Sequence, residues 1–264
     1  MFKLLKLGDI SYVLHSIIPL RWMFILVRIH GRLLYLIRYK KRVVIRNNIL
    51  ESFGKIKSEK EINLMTRRFF EYNQLRELLI ALLPKMTSLQ LSELFSIEGL
   101  EHLDRAFSQD KGVILIGSHL NSVCTFIAIY LLREKGYNVR VAMPKEGDPY
   151  APTPFRKIIY KFLGKKETFI DQTGAFFAQF NIRPIVWHLS NKEAVLLMGD
   201  GLHSVDFAEV EFLDRLVPFA TGAMNIARLT GSPVVPLFVL GSPPDKLRIV
   251  IEKPIEQGNS QNSE

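Results

Sequence analysis

The sequence lacks most of the signatures of disulfide-linked, metal-binding and nucleotide-binding proteins. It has one cysteine, which excludes an internal disulfide and any cysteine-rich zinc site. Its six histidines show no HExxH or other metal-ligand spacing. A Walker loop, a GxGxxG turn and a GxSxG elbow are also missing. Nucleotide-driven chemistry and the esterase type of serine nucleophile therefore have no support in the sequence.

Acidic residues are scarce near the N-terminus. Residues 1–60 hold three Asp and Glu against 13 Lys and Arg, a net charge of +10. Because the whole chain carries +9, the remainder is close to neutral at −1. A basic and strongly apolar segment favours an anionic membrane surface as its partner. Nucleic-acid binding is an alternative that rests on charge alone, since no motif of that class is present.

A long hydrophobic run free of charge is missing too. Residues 10–39 are apolar, but Pro19 and the arginines at 21, 28 and 32 interrupt them. This pattern disfavours a membrane-spanning helix, and no small-residue cleavage site indicates a signal peptide. It predicts one or two helices that lie in the membrane interface, anchored by Trp22, Phe24 and the arginine head groups. The alternative is an amphipathic helix packed on the domain behind it.

The next segment has the pattern of a long helix. Ser58 and Glu61 form a capping box, and apolar residues then recur every three or four positions until Pro84. Hydrophobic residues make up 48% of the chain and 18 residues are Phe, so a large core can be buried. The apolar stripe of this helix is expected to pack against that core.

From Ser96 onward, short apolar runs alternate with helical stretches. This alternation predicts an α/β fold whose mixed, largely parallel sheet is flanked by helices on both faces. We expect a helical, membrane-associated region at 1–95, an α/β domain at 96–255 and a polar tail at 256–264. The predicted strands are Val113–Ile116, Val139–Met143, Thr168–Ile170, Ala194–Met198, Val234–Val239 and Leu247–Ile251. The predicted helices lie near 122–135, 153–163, 173–190 and 222–230.

One junction between a strand and a helix carries an ionisable side chain. The run Val113–Ile116 stops at Gly117-Ser118-His119, and a helical pattern begins near Ser122. Ligands of open α/β sheets bind at the carboxyl ends of the strands. His119 is therefore the first candidate for a catalytic residue.

Several segments together resemble the bacterial lauroyl/myristoyl acyltransferases of lipid A biosynthesis, within the lysophospholipid acyltransferase-like superfamily. They are IEGLE at 97–101, GVILIGSH at 112–119, GDG at 199–201, the Pro218-x-x-x-Gly222 spacing and PVVP at 233–236. The resemblance implies an acyltransferase with a glycerolipid acyltransferase-like fold, in which a histidine is the general base for an acceptor hydroxyl. His119 matches that histidine.

The chain departs from the family pattern at the residue that should orient the histidine. The family places Asp or Glu five residues after it, and Cys124 stands there instead. Positions i and i+5 are about 140° apart on a helix, so His119 must precede the helix. Three hypotheses follow. The base works unassisted or with a carboxylate from elsewhere, such as Asp200; the protein binds lipid without turnover; or Cys124 itself accepts acyl groups.

Other candidate residues follow from strand ends and helix starts. The family has an acidic residue at the end of the strand AVLLM, so Asp200 either contacts the acceptor or supports His119, unless it only forms a turn. Arg156, or a neighbouring lysine, could clamp a phosphate of the donor or acceptor. Amides at the start of the helix at Gly222 could bind an anion.

Further substrate-binding candidates are Asn121, Ser122 and Gly201. No metal or cofactor is implied, and His188 is interpreted as a packed histidine.

The resemblance implies a function in lipid biosynthesis. A fatty acyl chain would move from an acyl-carrier protein or coenzyme A thioester to a hydroxyl of a lipid or glycolipid such as lipid A. The enzyme would lie at the cytoplasmic face of the bacterial inner membrane, peripheral or single-pass through its N-terminal region. The alternative is a catalytically silent lipid-binding relative, because His119 lacks the acidic partner of the motif.

Overall fold

The computed structural model describes residues 18–82, 86–120, 122–143, 175–177, 181–200, 206–241 and 246–256. These ranges contain eight helices and nine strands. The helices are α1 (Leu20–Ile37), α2 (Tyr39–Phe53), α3 (Glu59–Leu82), α4 (Ser88–Leu94), α5 (Leu100–Phe107), α6 (Ser122–Glu134), α7 (Arg183–Ser190) and α8 (Gly222–Thr230). The strands are β1 (Phe95–Glu98), β2 (Val113–Gly117), β3 (Val139–Met143), β4 (Ala175–Phe177), β5 (Ala194–Met198), β6 (Phe207–Glu211), β7 (Leu216–Ala220), β8 (Val234–Leu240) and β9 (Leu247–Ile251).

Helix α3 begins at the predicted capping box. The backbone N–H and the hydroxyl of Ser58 both donate to Oε2 of Glu61 at 2.9 Å. The Ser58 backbone N–H, with help from Lys57 and the Ser58 hydroxyl, lowers the pKa of Glu61 to about 2. The carboxylate is thus ionised at the positive end of the helix dipole, where a negative charge stabilises the helix.

Helices α1 and α3 cross closely at Gly31. A Cβ atom on Gly31 would lie 2.6 Å from the Cα atom of Glu71, so only glycine fits at this crossing. Arg32 donates from Nε to Oε1 of Glu71 at 2.9 Å, and Arg67 lies 3.6 Å from the same oxygen. The two guanidinium groups compensate a carboxylate that is otherwise buried between the helices.

Helix α1 is apolar on two opposite faces. One face, with Met23, Phe24 and Val27, is buried in the core. The prediction that Phe24 anchors the chain in a membrane is therefore wrong, because this ring is only 2% exposed. On the other face, large apolar side chains at helical spacing are each about half exposed or more, namely Trp22, Leu26, Ile29, Leu33 and Leu36. None of the helices in the described ranges is long and apolar enough to cross a membrane.

Seven strands form one sheet in the order β1-β9-β8-β2-β5-β3-β4. All neighbouring pairs are parallel except β8 and β9, which are antiparallel. The central strands β2, β5 and β8 are rich in Val, Ile and Leu because parallel strands are buried on both faces. Helices α7 and α8 cover one face of the sheet, and a larger set that includes α3 and α6 covers the other. The predicted α/β fold class is confirmed.

The predicted elements agree with the structure over most of the described sheet. Five of the predicted strands are present, within one residue at each end. The helix predicted near 173–190 is wrong in its first part, because Ala175–Phe177 forms the edge strand β4 against β3 and α7 begins only at Arg183. A run of three apolar residues is too short for its periodicity to distinguish a strand from a helix. The predicted strand at Thr168–Ile170 and the predicted helix near 153–163 lie outside the described residues.

Strands β6 and β7 form a separate antiparallel hairpin between β5 and α8. Leu213 and Asp214 connect the two strands, and their φ angles of 53° and 57° are those of a type I′ turn. Arg215 reaches across from this tip to helix α2, where its Nη1 donates to Oε1 of Glu51 at 3.0 Å. Asp214 also lies 3.8 Å from Nζ of Lys55. The hairpin is therefore held at its tip by the N-terminal helices.

Candidate active site

The candidate site is formed where β2 and β5 end side by side. The two strands pair in parallel, and Gly117 at the end of β2 lies opposite Met198 at the end of β5. The backbone N–H of Gly199 donates to the carbonyl of Gly117 at 2.9 Å, which continues the pairing into the following turns. Consequently His119 and Asp200, each two residues past the end of its strand, meet at the carboxyl edge of the sheet.

Asp200 accepts hydrogen bonds from two groups of His119. The backbone N–H of His119 lies 2.7 Å from Oδ2 and 3.0 Å from Oδ1 of Asp200. The ring nitrogen Nδ1 lies 2.8 Å from Oδ1. Both side chains are accessible, with 61% of the imidazole and 34% of the carboxylate exposed. The imidazole is therefore fixed in orientation and still reachable by a substrate.

This contact determines which ring nitrogen can act as a base. A carboxylate accepts hydrogen bonds only, so Nδ1 must carry the proton that it shares with Asp200. The lone pair of neutral His119 then resides on Nε2. The same pairing of carboxylate, Nδ1–H and basic Nε2 orients the histidine of hydrolytic triads. A carboxylate from a neighbouring strand end is thus bonded to the ring of His119, whereas position 124, where the family motif has its acid, holds a cysteine.

Cys124 lies in the first turn of α6 and points into the core. It is 1% exposed and belongs to the same buried cluster as Leu75 and Leu78 of α3. Burial raises the pKa of Tyr72, also on α3, and the negative charge of a Cys124 thiolate would raise it further. These contacts place residue 124 against α3 and away from solvent. The hypothesis that Cys124 accepts acyl groups therefore has no accessible sulfur to support it, and the buried, inert thiol is the interpretation that fits.

The remaining predicted site residues are only partly described. Ser122 is the first residue of α6 and Gly222 the first residue of α8. Helix α8 leads into β8, which runs parallel to β2, so Gly222 lies toward the same edge of the sheet as His119. Asn121, Arg156 and Gly201 lie outside the described residues. The β6–β7 hairpin, which joins Asp200 to α8, was not predicted from the sequence.

His188 lies at the opposite, amino edge of the sheet. Its Nδ1 is hydrogen-bonded to Oε2 of Glu193, the residue that precedes β5. Arg140 and Asn138 donate to the same carboxylate at 3.0 and 2.7 Å. Burial opposes the ionisation of Glu193, but these donors outweigh it and hold its pKa below the ordinary value. His188 is a packed residue of a buried polar cluster, as its neighbourhood in the sequence predicts.

Comparison with known proteins identifies the family of the chain. No curated protein shows significant similarity to the chain. The sequence profile of one family, described as bacterial lipid A biosynthesis acyltransferase, matches residues 4–257. The match includes both strand ends of the candidate site and nearly the whole of the chain. The protein therefore belongs to the bacterial lipid A biosynthesis acyltransferase family and is an acyltransferase.

Proposed function

We propose that the protein transfers a fatty acyl chain from an acyl-carrier protein or coenzyme A thioester to a hydroxyl of a lipid A-like glycolipid. The observation that carries this proposal is the 2.8 Å contact between Nδ1 of His119 and Asp200, which leaves an oriented and accessible Nε2. The silent lipid-binding alternative was motivated by the lack of an acidic partner for His119. Asp200 removes that motive, so catalysis is the function that the geometry supports best.

The reaction follows from the orientation of His119. An acceptor hydroxyl would bind at Nε2 and lose its proton to it as its oxygen attacks the thioester carbonyl. The tetrahedral intermediate would collapse by breaking the bond between carbon and sulfur, which releases the ester and a thiolate. The imidazolium would return its proton to that sulfur. Asp200 would stabilise the imidazolium between the two transfers, because its negative charge faces Nδ1.

The substrates require further contacts at the same edge. We propose that the amides at the start of α8, near Gly222, bind an anionic group or the developing oxyanion. Arg156 is proposed to pair with a phosphate of donor or acceptor, and Asn121, Ser122 and Gly201 to line the acceptor site. Cys124 has no step in this mechanism. Its contribution is the packing of α6 against α3.

The exposed face of α1 is proposed to attach the enzyme to the cytoplasmic face of the inner membrane. We define the α1 stripe as its five exposed apolar residues, Trp22, Leu26, Ile29, Leu33 and Leu36. Arg21 and Arg32, both exposed, flank this stripe on one side. An apolar face bordered by arginines is suited to the interface of an anionic bilayer. In this arrangement 1–95 attaches the protein and 96–255 carries out the transfer.

The test is acyl transfer by purified protein in lipid vesicles. Wild type and His119→Ala are compared with acyl-carrier protein and coenzyme A thioesters as donors and with lipid A precursors as acceptors. We expect His119→Ala to lower kcat about 10²–10⁴-fold, the contribution of a general base. His102→Gln, which alters a histidine outside the site, is the matched control and should retain the wild-type rate. Equal rates for wild type and His119→Ala, or no transfer by either, would contradict the proposal.

A further inference from the structure

The junction between α1 and α2 carries cations that rest on aromatic rings. Cζ of Arg42 lies over the rings of Tyr35 and Tyr39, at 5.1 and 5.3 Å from their centroids. Nζ of Lys41 lies over the ring of Phe70 on α3, at 5.9 Å. The rings of Tyr35 and Phe70 contact each other edge to face at 5.8 Å, so the two cations rest on neighbouring rings. Ring faces attract a cation but, unlike a carboxylate, leave its charge uncompensated.

A third cation precedes these two by one helical turn. It is Arg38, whose backbone carbonyl accepts from the backbone N–H of Arg42 at 2.9 Å. Residues three and four apart share one side of a helix, and we call Arg38, Lys41 and Arg42 the cationic corner. Residues 20–50 contain no Asp or Glu. Among the residues that the structure describes, no carboxylate pairs with the cationic corner.

Other cations of the N-terminal helices are compensated inside the protein. These ion pairs join Arg46 to Glu59, Lys57 to Glu61, and both Arg32 and Arg67 to Glu71. The cationic corner differs from them, because its charges repel one another and have no internal counter-ion in the described residues. Such a cluster attracts an anion from outside the chain.

The neighbouring side chains indicate what carries that anion. The α1 stripe ends at Leu36, only two residues before Arg38, and the residue between them, Ile37, is 75% exposed. Tyr39 is 64% exposed on the other side of Arg38. A bilayer surface provides partners for both kinds of side chain at once, because it offers hydrocarbon to the apolar groups and phosphates to the cations.

Arg42 is suited to bind a phosphate because its guanidinium is fixed in position. Within the described residues only one of its side-chain N–H donors is used, by the carbonyl of Tyr35 at 3.1 Å. A planar guanidinium matches two oxygens of a phosphate at the same time. We propose that the cationic corner binds the phosphate of an anionic membrane phospholipid, with Arg42 contacting two oxygens and Arg38 and Lys41 adding charge. This inference rests on the proposed attachment of α1 to a bilayer.

The test is binding to vesicles of a neutral galactolipid, which forms a bilayer without phosphate, prepared with and without phosphatidylglycerol. Arg42→Lys keeps the charge but loses the planar fork, so cosedimentation with phosphatidylglycerol vesicles should weaken about fivefold, the equivalent of one hydrogen bond. Arg42→Gln also loses the charge and should weaken binding by about tenfold or more. Arg38→Gln removes an exposed charge without altering the rings and should weaken it about fivefold.

Two controls accompany these variants. Arg228→Lys makes the same exchange at an exposed arginine of α8 and should bind both kinds of vesicle as wild type does. Binding of every variant to pure galactolipid vesicles should equal that of wild type, which also shows that the variants are folded. Equal loss in Arg228→Lys, or loss on pure galactolipid, would overturn the inference, because the effect would then come from general attraction or from apolar insertion.

The outcome does not depend on acyl transfer, since no acyl donor is present. Losses confined to phosphatidylglycerol vesicles support the cationic corner, even where wild type is inactive or Leu33→Asp in the α1 stripe still binds. Wild-type binding by Arg42→Lys overturns the inference even where Leu33→Asp releases the enzyme from every vesicle. If Arg42→Lys instead leaves vesicle binding unchanged and raises KM for acyl-carrier-protein thioesters, the partner is the carrier protein and the inference is wrong.

Discussion

Asp200 contacts His119 at two points, accepting from its backbone N–H and from ring atom Nδ1. The first contact fixes where the residue sits, and the second fixes how its ring is turned. A carboxylate at position 124, the third residue of α6, would instead lie on the buried face that Cys124 occupies. The two strand ends together thus provide a histidine and carboxylate pair whose partners are 81 residues apart in the chain.

Replacement of Asp200 by Asn is the first prediction. The amide oxygen of Asn can still accept from the backbone of His119, but the negative charge that stabilises the imidazolium is lost. The Asn side chain also offers an N–H that would pair with the other tautomer of the ring. We expect kcat to fall by up to about 10⁴-fold, as in hydrolytic triads, while KM changes little. Steady-state kinetics with a thioester donor measure both constants.

Asp110→Asn is the matched control for Asp200→Asn. Asp110 forms an exposed ion pair with Lys192 just before β2, at the far end of that strand from His119. Exposed pairs contribute little to stability, so this variant should keep wild-type kcat and KM. A similar fall in kcat in both variants would show that the effect is not specific to the pair of His119 and Asp200.

Substitutions at Cys124 test whether the residue is part of the chemistry or of the core. Cys124→Ala and Cys124→Ser should both retain kcat within about twofold, because a buried thiol takes no part in the transfer. Cys124→Asp should not raise the rate, since His119 already has a carboxylate partner. It should also unfold more readily as pH rises, because burial raises the pKa of a new carboxyl and its charged form is costly in the core. Kinetics and thermal denaturation at several pH values measure these effects.

The local pattern at His119 could be predicted from the sequence, but its partner could only be suggested. An apolar run, a short turn and a helical pattern define β2, the loop and α6 without reference to the rest of the chain. Asp200 is recognisable as a residue at a strand end. That β5 lies directly beside β2 depends on the order of strands in the sheet, which hydrophobic patterning does not encode.

Two features were missed for reasons that the structure makes plain. The hairpin has no Asn-Gly or Asp-Gly signal, because Leu213 and Asp214 occupy the left-handed turn positions that usually hold those residues. Helix α1 is apolar around most of its circumference, so the sequence does not indicate which face packs on α3. Gly31 determines which face of α1 packs on α3, because it allows the close approach to Glu71. In this orientation Phe24 is buried and Trp22 is exposed.

The α1 stripe leads to a prediction about membrane binding. Leu33→Asp places a charge at the centre of the stripe, where it would have to enter the apolar interface. Even without the charge, a leucine side chain that no longer inserts into the bilayer should weaken binding to anionic vesicles by about tenfold or more. Binding to phosphatidylglycerol vesicles is measured by cosedimentation. Leu229→Asp alters a more exposed leucine, on α8, and should bind as wild type does; equal loss in both variants would contradict a specific role for α1.

The cluster around Glu193 gives a prediction about stability. In Glu193→Gln the carboxylate between Arg140 and His188 is removed, so both side chains lose a charged partner within a largely buried cluster. Breaking a buried ion pair from one side typically lowers the free energy of unfolding by about 3–5 kcal/mol. Chemical denaturation measures this quantity. Glu252→Gln, an exposed glutamate after β9, is the control and should change it by less than about 0.5 kcal/mol.

The same cluster makes the loss of stability depend on pH in a defined direction. The pKa of Glu193 is lowered in the folded protein, so its contribution is fully present above the pKa of an unfolded glutamate, about 4.3. This contribution is lost as the pH falls through the lower pKa that Glu193 has in the folded protein. In that range the unfolded chain binds a proton at Glu193 and the folded chain does not. The difference in unfolding free energy between wild type and Glu193→Gln should therefore narrow below about pH 4.3. A difference that widens on acidification would show that Arg140 and His188 do not stabilise the charged form of Glu193.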